Sequence, residues 1–177
     1  MIQEEVTIKS EKIYEGKVLN LRIDTVELPD KRYSKREIVE HVGGVGVIAI
    51  TEEGNIVLVN QYRKALDKNI IEIPAGKLEI NEEPKETARR ELEEETGYTC
   101  SKMRYFTEFY PTPGYCTEKI HLFIAEDLIP GKQNLDENEF LEVLEIPFEE
   151  AYEKVMNGEI LDAKTLIGIN LLKNERE

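Results

Sequence analysis

Apolar and polar residues alternate over residues 5–13 and again over 18–28, with Glu15-Gly16 between the two runs. A period of two marks half-buried strands, so the pattern predicts a hairpin. Residues 29–34 read as a polar loop, and 36–41 alternate again. Gly43-Gly44 leads into an unbroken apolar run at 45–50, short enough for a buried strand, and Glu53-Gly54-Asn55 turns the chain into a further strand at 56–62. A short strand is expected at 70–73. Further on, 102–109 and 119–125 read as strands around a loop at 110–117, 130–138 as a polar loop, and 140–146 as a strand. Helical spacing appears over 81–97, over 148–156 with a stop near Gly158, and over 161–172. Strands with a few inserted helices, lacking a regular strand–helix alternation, predict the α+β class.

The segment 81–97 carries its own punctuation. Pro84 suits a first helical position, where its missing N–H is not needed. Glu82, Glu83 and Glu86 suit the positive end of the helix, and Gly97 the left-handed position just past its end. Ala88 and Leu92 share one side. Glu91 and Glu95 stand one turn apart, and Glu94 joins them on an arc of roughly 100°. Three carboxylates therefore converge beside the apolar stripe, where mutual repulsion and desolvation both disfavour their charge. Arg90 can pair with Glu94, yet one guanidinium cannot neutralise the cluster. A divalent cation can, and hard oxygen ligands suit Mg²⁺ or Mn²⁺. The plainer alternative is a solvated acidic face, the reading preferred for Glu93, which points the other way.

Composition narrows the partners. The 177 residues fit one domain, with room for a short appendage, and the net charge is −14. That balance argues against nucleic acid and anionic membranes as partners, since phosphate binding normally rests on Lys and Arg. A phosphate-bearing substrate would need cations to bridge the repulsion, which agrees with a metal on Glu91, Glu94 and Glu95. Cys100 and Cys116 form no disulfide framework and lack metal-ligand spacing; His41 and His121 stand alone and read as structural. The first ten residues show neither a basic nor an apolar leader region, and no apolar run is long enough for a bilayer, so a cytoplasmic location is expected.

Gly76, Glu82, Arg90, Glu91, Glu94, Glu95 and Gly97 fall in the order G-x5-E-x7-R-E-U-x-E-E-x-G-U, where U is a bulky apolar residue. At the chain's own composition these seven would coincide by chance at about 10⁻⁷ per start position, so the spacing is a specific signal. It resembles the signature of the Nudix hydrolases, with Tyr98 as a mild departure at the last position. The resemblance implies a mixed sheet sandwiched between helices, an α/β/α arrangement with an N-terminal strand extension. It also implies hydrolysis of a nucleoside diphosphate linked to another group.

Outside the box, Thr112-Pro113-Gly114 resembles the proline marker of the ADP-ribose pyrophosphatases, usually Ser-Pro-Gly. Tyr14-Glu15-Gly16, residues 36–41, Gln61-Tyr62-Arg63, residues 72–76 and Asp136-Glu137-Asn138-Glu139 resemble the same subgroup in the same order. The resemblance implies ADP-ribose, or a similar ADP-sugar, as substrate, cleaved to AMP and ribose 5-phosphate. It assigns Mg²⁺ (Mn²⁺ possible) to the carbonyl of Ala75 and to Glu91, Glu95, Glu94 and Glu139. It gives Glu137 the role of base, Glu82 and Arg90 support of the box, Arg63 the phosphate, and Arg36, Glu37, Glu72 and Pro113 the substrate. Exposed strand charges, a solvated acidic turn at 137–139 and a simple tight turn at Pro113-Gly114 are the plainer alternatives for the residues outside the box. Residues 1–44 are expected to form a strand segment that joins a homodimer, with 45–177 as the hydrolase domain; packing on the chain's own core is the competing reading. Another nucleotide sugar or a dinucleotide is the runner-up substrate. A non-hydrolysing ADP-ribose sensor is disfavoured by the intact box.

Overall fold

The computed structural model describes residues 4–135 and 137–177. It divides into two compact units, one built from the chain up to Gly43 with Tyr110–Lys119, the other from Gly44–Phe109 with Ile120–Glu177.

In the first unit, strands β1 (Val6–Glu15), β2 (Asn20–Glu27) and β3 (Tyr33–Glu40) form an antiparallel sheet in that order. The Gly16 N–H closes the first turn on the Leu19 carbonyl at 3.1 Å. The second turn is tighter than the polar stretch 29–34 suggested, because Lys31 takes a left-handed φ of 68° and the strand resumes at Tyr33. Tyr110–Lys119 adds to this sheet through a parallel bridge between Val39 and Cys116. The Val39 N–H donates to the Tyr115 carbonyl at 2.8 Å, and the Thr117 N–H donates to the Val39 carbonyl at 3.0 Å. The edge strand β1 exposes Val6, Ile8, Ile13 and Tyr14.

The second unit is a seven-stranded mixed sheet. Its strands are β4 (Gly44–Ile50), β5 (Asn55–Arg63), β6 (Lys68–Glu72), β7 (Ala75–Lys77), β8 (Tyr98–Phe109), β9 (Ile120–Pro130) and β10 (Leu141–Pro147). The main order is β10-β5-β4-β9-β8, with β6 on β5 and β7 on β4; β4 and β9 are parallel, and the remaining pairs are antiparallel. Helix α1 (Pro84–Thr96) covers one face, where Val45, Val47 and Val57 meet Ala88 and Leu92. Helices α2 (Phe148–Met156) and α3 (Ala163–Arg176) cover the other, where Ile48, Leu58 and Leu122 meet Phe148, Ala151 and Ile169. Alternate residues of β4 thus feed opposite cores although the whole strand is buried. This is the α/β/α sandwich that the Nudix resemblance implies, within the α+β class.

Differences from expectation lie at the element ends. The box helix begins at Pro84 rather than 81, because Asn81 adopts φ 66° and Glu83 serves as the extended N-cap. Strand β9 runs on to Pro130, since its antiparallel partner β8 starts at Tyr98 and pairs with it there. The last helix starts after Asp162, whose side chain accepts the Thr165 N–H, and continues to Arg176. Among the described residues no helix is long and apolar enough to cross a membrane.

Candidate active site

Burial of Ala88 and Leu92 fixes the rotation of α1, and that rotation places the carboxylates. Glu95 is turned inward and is 2% exposed. Its Oε2 accepts the Ala75 N–H at 2.9 Å, joining the helix to β7. Arg90 lies over the group, donating from Nη1 to Glu91 at 2.9 Å and to Glu94 at 2.8 Å. Its other edge meets Glu82 at 3.3 and 3.2 Å, and Glu82 also accepts the Thr87 hydroxyl at 2.9 Å. Glu82 and Arg90 therefore form a brace that ties the loop before α1 to the acidic face.

The brace leaves the cluster short of positive charge. Burial, with the negative neighbours Glu139 and Glu91 adding to it, pushes the Glu95 carboxyl up to about 8 despite the Ala75 N–H. Glu91 is also raised, chiefly by burial and further by Glu94 and Glu139, against the opposing pull of Arg90. Among the described residues no three acidic, imidazole or thiol side chains already stand around one point as a metal cage. The chemistry of the set nevertheless fits a hard divalent cation. Glu91, Glu94 and Glu95 each have one oxygen engaged, by Arg90 or the Ala75 N–H, and they bring more negative charge than Arg90 can match. Gly76 opens the space for Glu91, since a Cβ built on Gly76 would overlap the Glu91 carboxylate. The sequence motif holds Gly76 constant without saying why; the close approach supplies the reason.

A second ionic group stands on the same unit. Arg63 at the end of β5 grips Glu72 of β6 with two bonds, Nε to Oε1 at 2.5 Å and Nη2 to Oε2 at 2.9 Å. Lys164 of α3 also donates to Glu72 and pairs with Asp162 at 3.0 Å. Lys164 carried no sequence signal for this role, since Glu72 lies over ninety residues upstream. Burial alone would raise the Glu72 carboxyl, but Arg63 and Lys164 together hold it below its ordinary value of 4.5. Its stabilising contribution is therefore complete above the ordinary carboxylate range and is lost as pH falls through the depressed value. Glu72→Gln should cost about 3 kcal/mol, because it removes the buried carboxylate that Arg63 and Lys164 share, leaving Lys164 with Asp162 alone. That lowers the melting temperature near pH 7 by about 6–12 °C. The gap to the wild type should narrow as the solution is acidified below the ordinary carboxylate range. A gap that is constant down to strong acid would show that the charge of Glu72 contributes nothing.

The remaining candidates are distributed between the two units. Glu139 accepts from Gln61 Nε2 at 3.3 Å and acts electrostatically on both Glu91 and Glu95, so the structure gathers it with the box. Glu137 is exposed in the turn before it, and Asp136 lies outside the described residues. The loop leaves β9 through a contact with α1: Gln133 Nε2 donates to the Glu95 carbonyl at 2.6 Å and the Asn134 N–H to the Glu94 carbonyl at 3.0 Å. Arg36, Glu37 and Pro113 belong to the other unit. There Arg36 forks onto Glu5 at 2.8 and 2.5 Å, and Glu37 is exposed on β3.

Comparison with known proteins agrees with this geometry. The Nudix domain matches residues 40–166, and the nucleoside diphosphate sugar hydrolase N-terminal domain matches residues 5–39. An ADP-ribose pyrophosphatase of Bacillus subtilis (strain 168) is 52% identical over 172 residues, covering 96% of this chain and 93% of that protein. A methanol dehydrogenase activator of Bacillus methanolicus is 51% identical over 173 residues, covering 96% and 93%. A GDP-mannose pyrophosphatase of Escherichia coli (strain K12) is 35% identical over 184 residues, covering 96% of each. The crystal structure of an ADP compounds hydrolase superimposes with a TM-score of 0.87 at 18% identity, covering 98% of this chain and 95% of that one, a likeness of fold. The chain belongs to the Nudix family. Within it, the two matched segments together make it a hydrolase of nucleoside diphosphate sugars.

Proposed function

We propose that the substrate is ADP-ribose, or a closely similar ADP-sugar, and that the products are AMP and ribose 5-phosphate. The observation that carries this reading is the 52% identity, over nearly the whole chain, to a protein named an ADP-ribose pyrophosphatase. Mg²⁺, or Mn²⁺ in its place, would be held by Glu91, Glu95 and the Ala75 carbonyl, with Glu94 and Glu139 completing the set. A divalent cation bound there supplies charge neutralisation for the diphosphate and acidifies a water molecule.

The chain's own groups divide the remaining work. Glu82 and Arg90 keep the box carboxylates in register. The carboxylate of Glu137 takes the proton of the attacking water, whose oxygen forms the new bond to one phosphorus as the P–O–P bridge breaks. Arg63, steadied by Glu72, offers its outer edge to the phosphate that leaves. Arg36, Glu37 and Pro113 select the sugar nucleotide. The exposed apolar residues of β1 support a homodimer joined through residues 1–44, and the two free cysteines agree with a cytoplasmic setting.

A panel of ADP-ribose, other nucleotide sugars, dinucleotides and nucleoside triphosphates, each with Mg²⁺ and with products identified, tests the substrate. ADP-ribose should give the highest kcat/KM, and a triphosphate above it would reject the assignment. Light scattering tests the dimer, with a fully active monomer as the contrary result. The similarity to a protein named a methanol dehydrogenase activator favours a second reading, in which the hydrolase acts on a dehydrogenase reaction. Adding the chain to a methanol dehydrogenase assay decides it.

A further inference from the structure

Gln61 lies on β5 opposite Leu141 of β10, two residues after Glu139, and opposite Ile70 of β6. Val57 of the same strand packs with Ala88 and Leu92 of α1, and Gln61 shares its parity, so it stands on the face that α1 covers. Its Nε2 donates to Glu139 Oε1 at 3.3 Å. A carboxylate only accepts, so the amide nitrogen must be the atom that faces Glu139, and the amide oxygen must turn away. That oxygen, Oε1, is buried and has no hydrogen-bond partner; no other buried side-chain nitrogen or oxygen among the described residues is left so.

A buried acceptor without a donor is costly, and a native structure that keeps one needs a reason for it. The neighbours of Gln61 make the deficit worse. Glu139, which Nε2 holds, only accepts when ionised, and no donor among the described residues reaches Oε1. The proton that Oε1 lacks must therefore arrive from outside the chain. Diphosphate oxygens bring none at neutral pH, whereas the water consumed in hydrolysis brings two. We propose that Gln61 aligns that water: Oε1 accepts a hydrogen bond from one of its protons while Nε2 keeps the Glu139 carboxylate beside it, which leaves the second proton for the base. The proposal rests on hydrolysis at the box, and not on ADP-ribose being the substrate.

Gln61→Leu tests it, because leucine keeps most of the volume and removes both polar atoms. With the substrate that the panel selects, kcat should fall at least about tenfold, within the range that placement of a reacting group contributes. With kcat read at saturating Mn²⁺, because Nε2 also holds Glu139, KM should stay within about threefold. The melting temperature of the metal-free, substrate-free protein should stay level or rise by about 2–4 °C, since the orphaned acceptor is gone. Lower activity with higher stability is a signature that a scaffolding role would not produce. A fall in melting temperature together with parallel losses in kcat and KM would overturn the proposal, as would an unchanged kcat. Should the wild type hydrolyse a substrate other than ADP-ribose, only the substrate assignment fails, and the Gln61→Leu comparison is run on that substrate. Should the wild type cleave ADP-ribose and the variant keep its kcat, only the Gln61 proposal fails.

Discussion

Glu95→Gln will lower kcat by about 10³-fold, more than the 10–100-fold typical of residues that merely orient a metal's ligands. Glutamine keeps an oxygen for the Ala75 N–H, so the link between α1 and β7 survives. It cannot supply the negative charge that a divalent cation needs, and Glu95 is the most deeply buried carboxylate of the box. The metal-free variant should melt no lower than the metal-free wild type, because the carboxyl pushed up to about 8 is already largely protonated near neutrality and glutamine copies that form. The two proteins should part when Mg²⁺ is added. A ligand that binds only the folded state at a hundred times its Kd stabilises by about 2.7 kcal/mol, so the wild type should melt higher in saturating Mg²⁺ and the variant should not. Undiminished wild-type activity in excess chelator, or a variant that still gains the full Mg²⁺ shift, would remove the metal from this site.

The parts of this protein that were legible in the sequence are those whose cause is local. The acidic helix announced itself through Pro84, Gly97 and the spacing of Ala88 and Leu92, all within one element, and the structure places each in its expected role. Strand β7 escaped notice because three residues carry no period, and its existence depends on pairing with β4 some thirty residues earlier. Arg63 was expected to meet phosphate, and nothing in the sequence marked it as the partner of Glu72, since the β5–β6 register and the approach of Lys164 are tertiary facts. The segment 110–117 read as a loop between two strands; the bridge from Cys116 to Val39 makes Tyr110–Lys119 part of the N-terminal unit, and Pro113 goes with it. Gln61 stood beside Arg63 in a recognisable tripeptide, yet only the burial of its Oε1 distinguishes it from any polar strand residue.

Gly76→Ala will reduce kcat/KM by about 10²- to 10³-fold while leaving the protein folded. The cause is one methyl group. Gly76 sits in β7 opposite Val45, and the Glu91 carboxylate lies where its Cβ would be. Backbone on both sides of that contact is held, by the β4–β7 pairing and by the packing of Leu92 and Ala88, so the side chain of Glu91 must give way. Glu91 can swing toward solvent, which keeps the overpacking cost near the low end of about 1–3 kcal/mol. The swing withdraws the carboxylate from Arg90 and from the cluster it shares with Glu95 and Glu139. A displacement of about 1 Å is enough to cost on the order of 10²-fold in rate, and loss of a cation ligand adds to it. A double-mutant cycle separates this account from a general backbone effect. Glu91→Asp shortens the arm and loses the same contact, so adding it to Gly76→Ala should cost little further activity and should recover part of the lost melting temperature. Strictly additive losses in kcat/KM would mean that Gly76 acts on something other than Glu91.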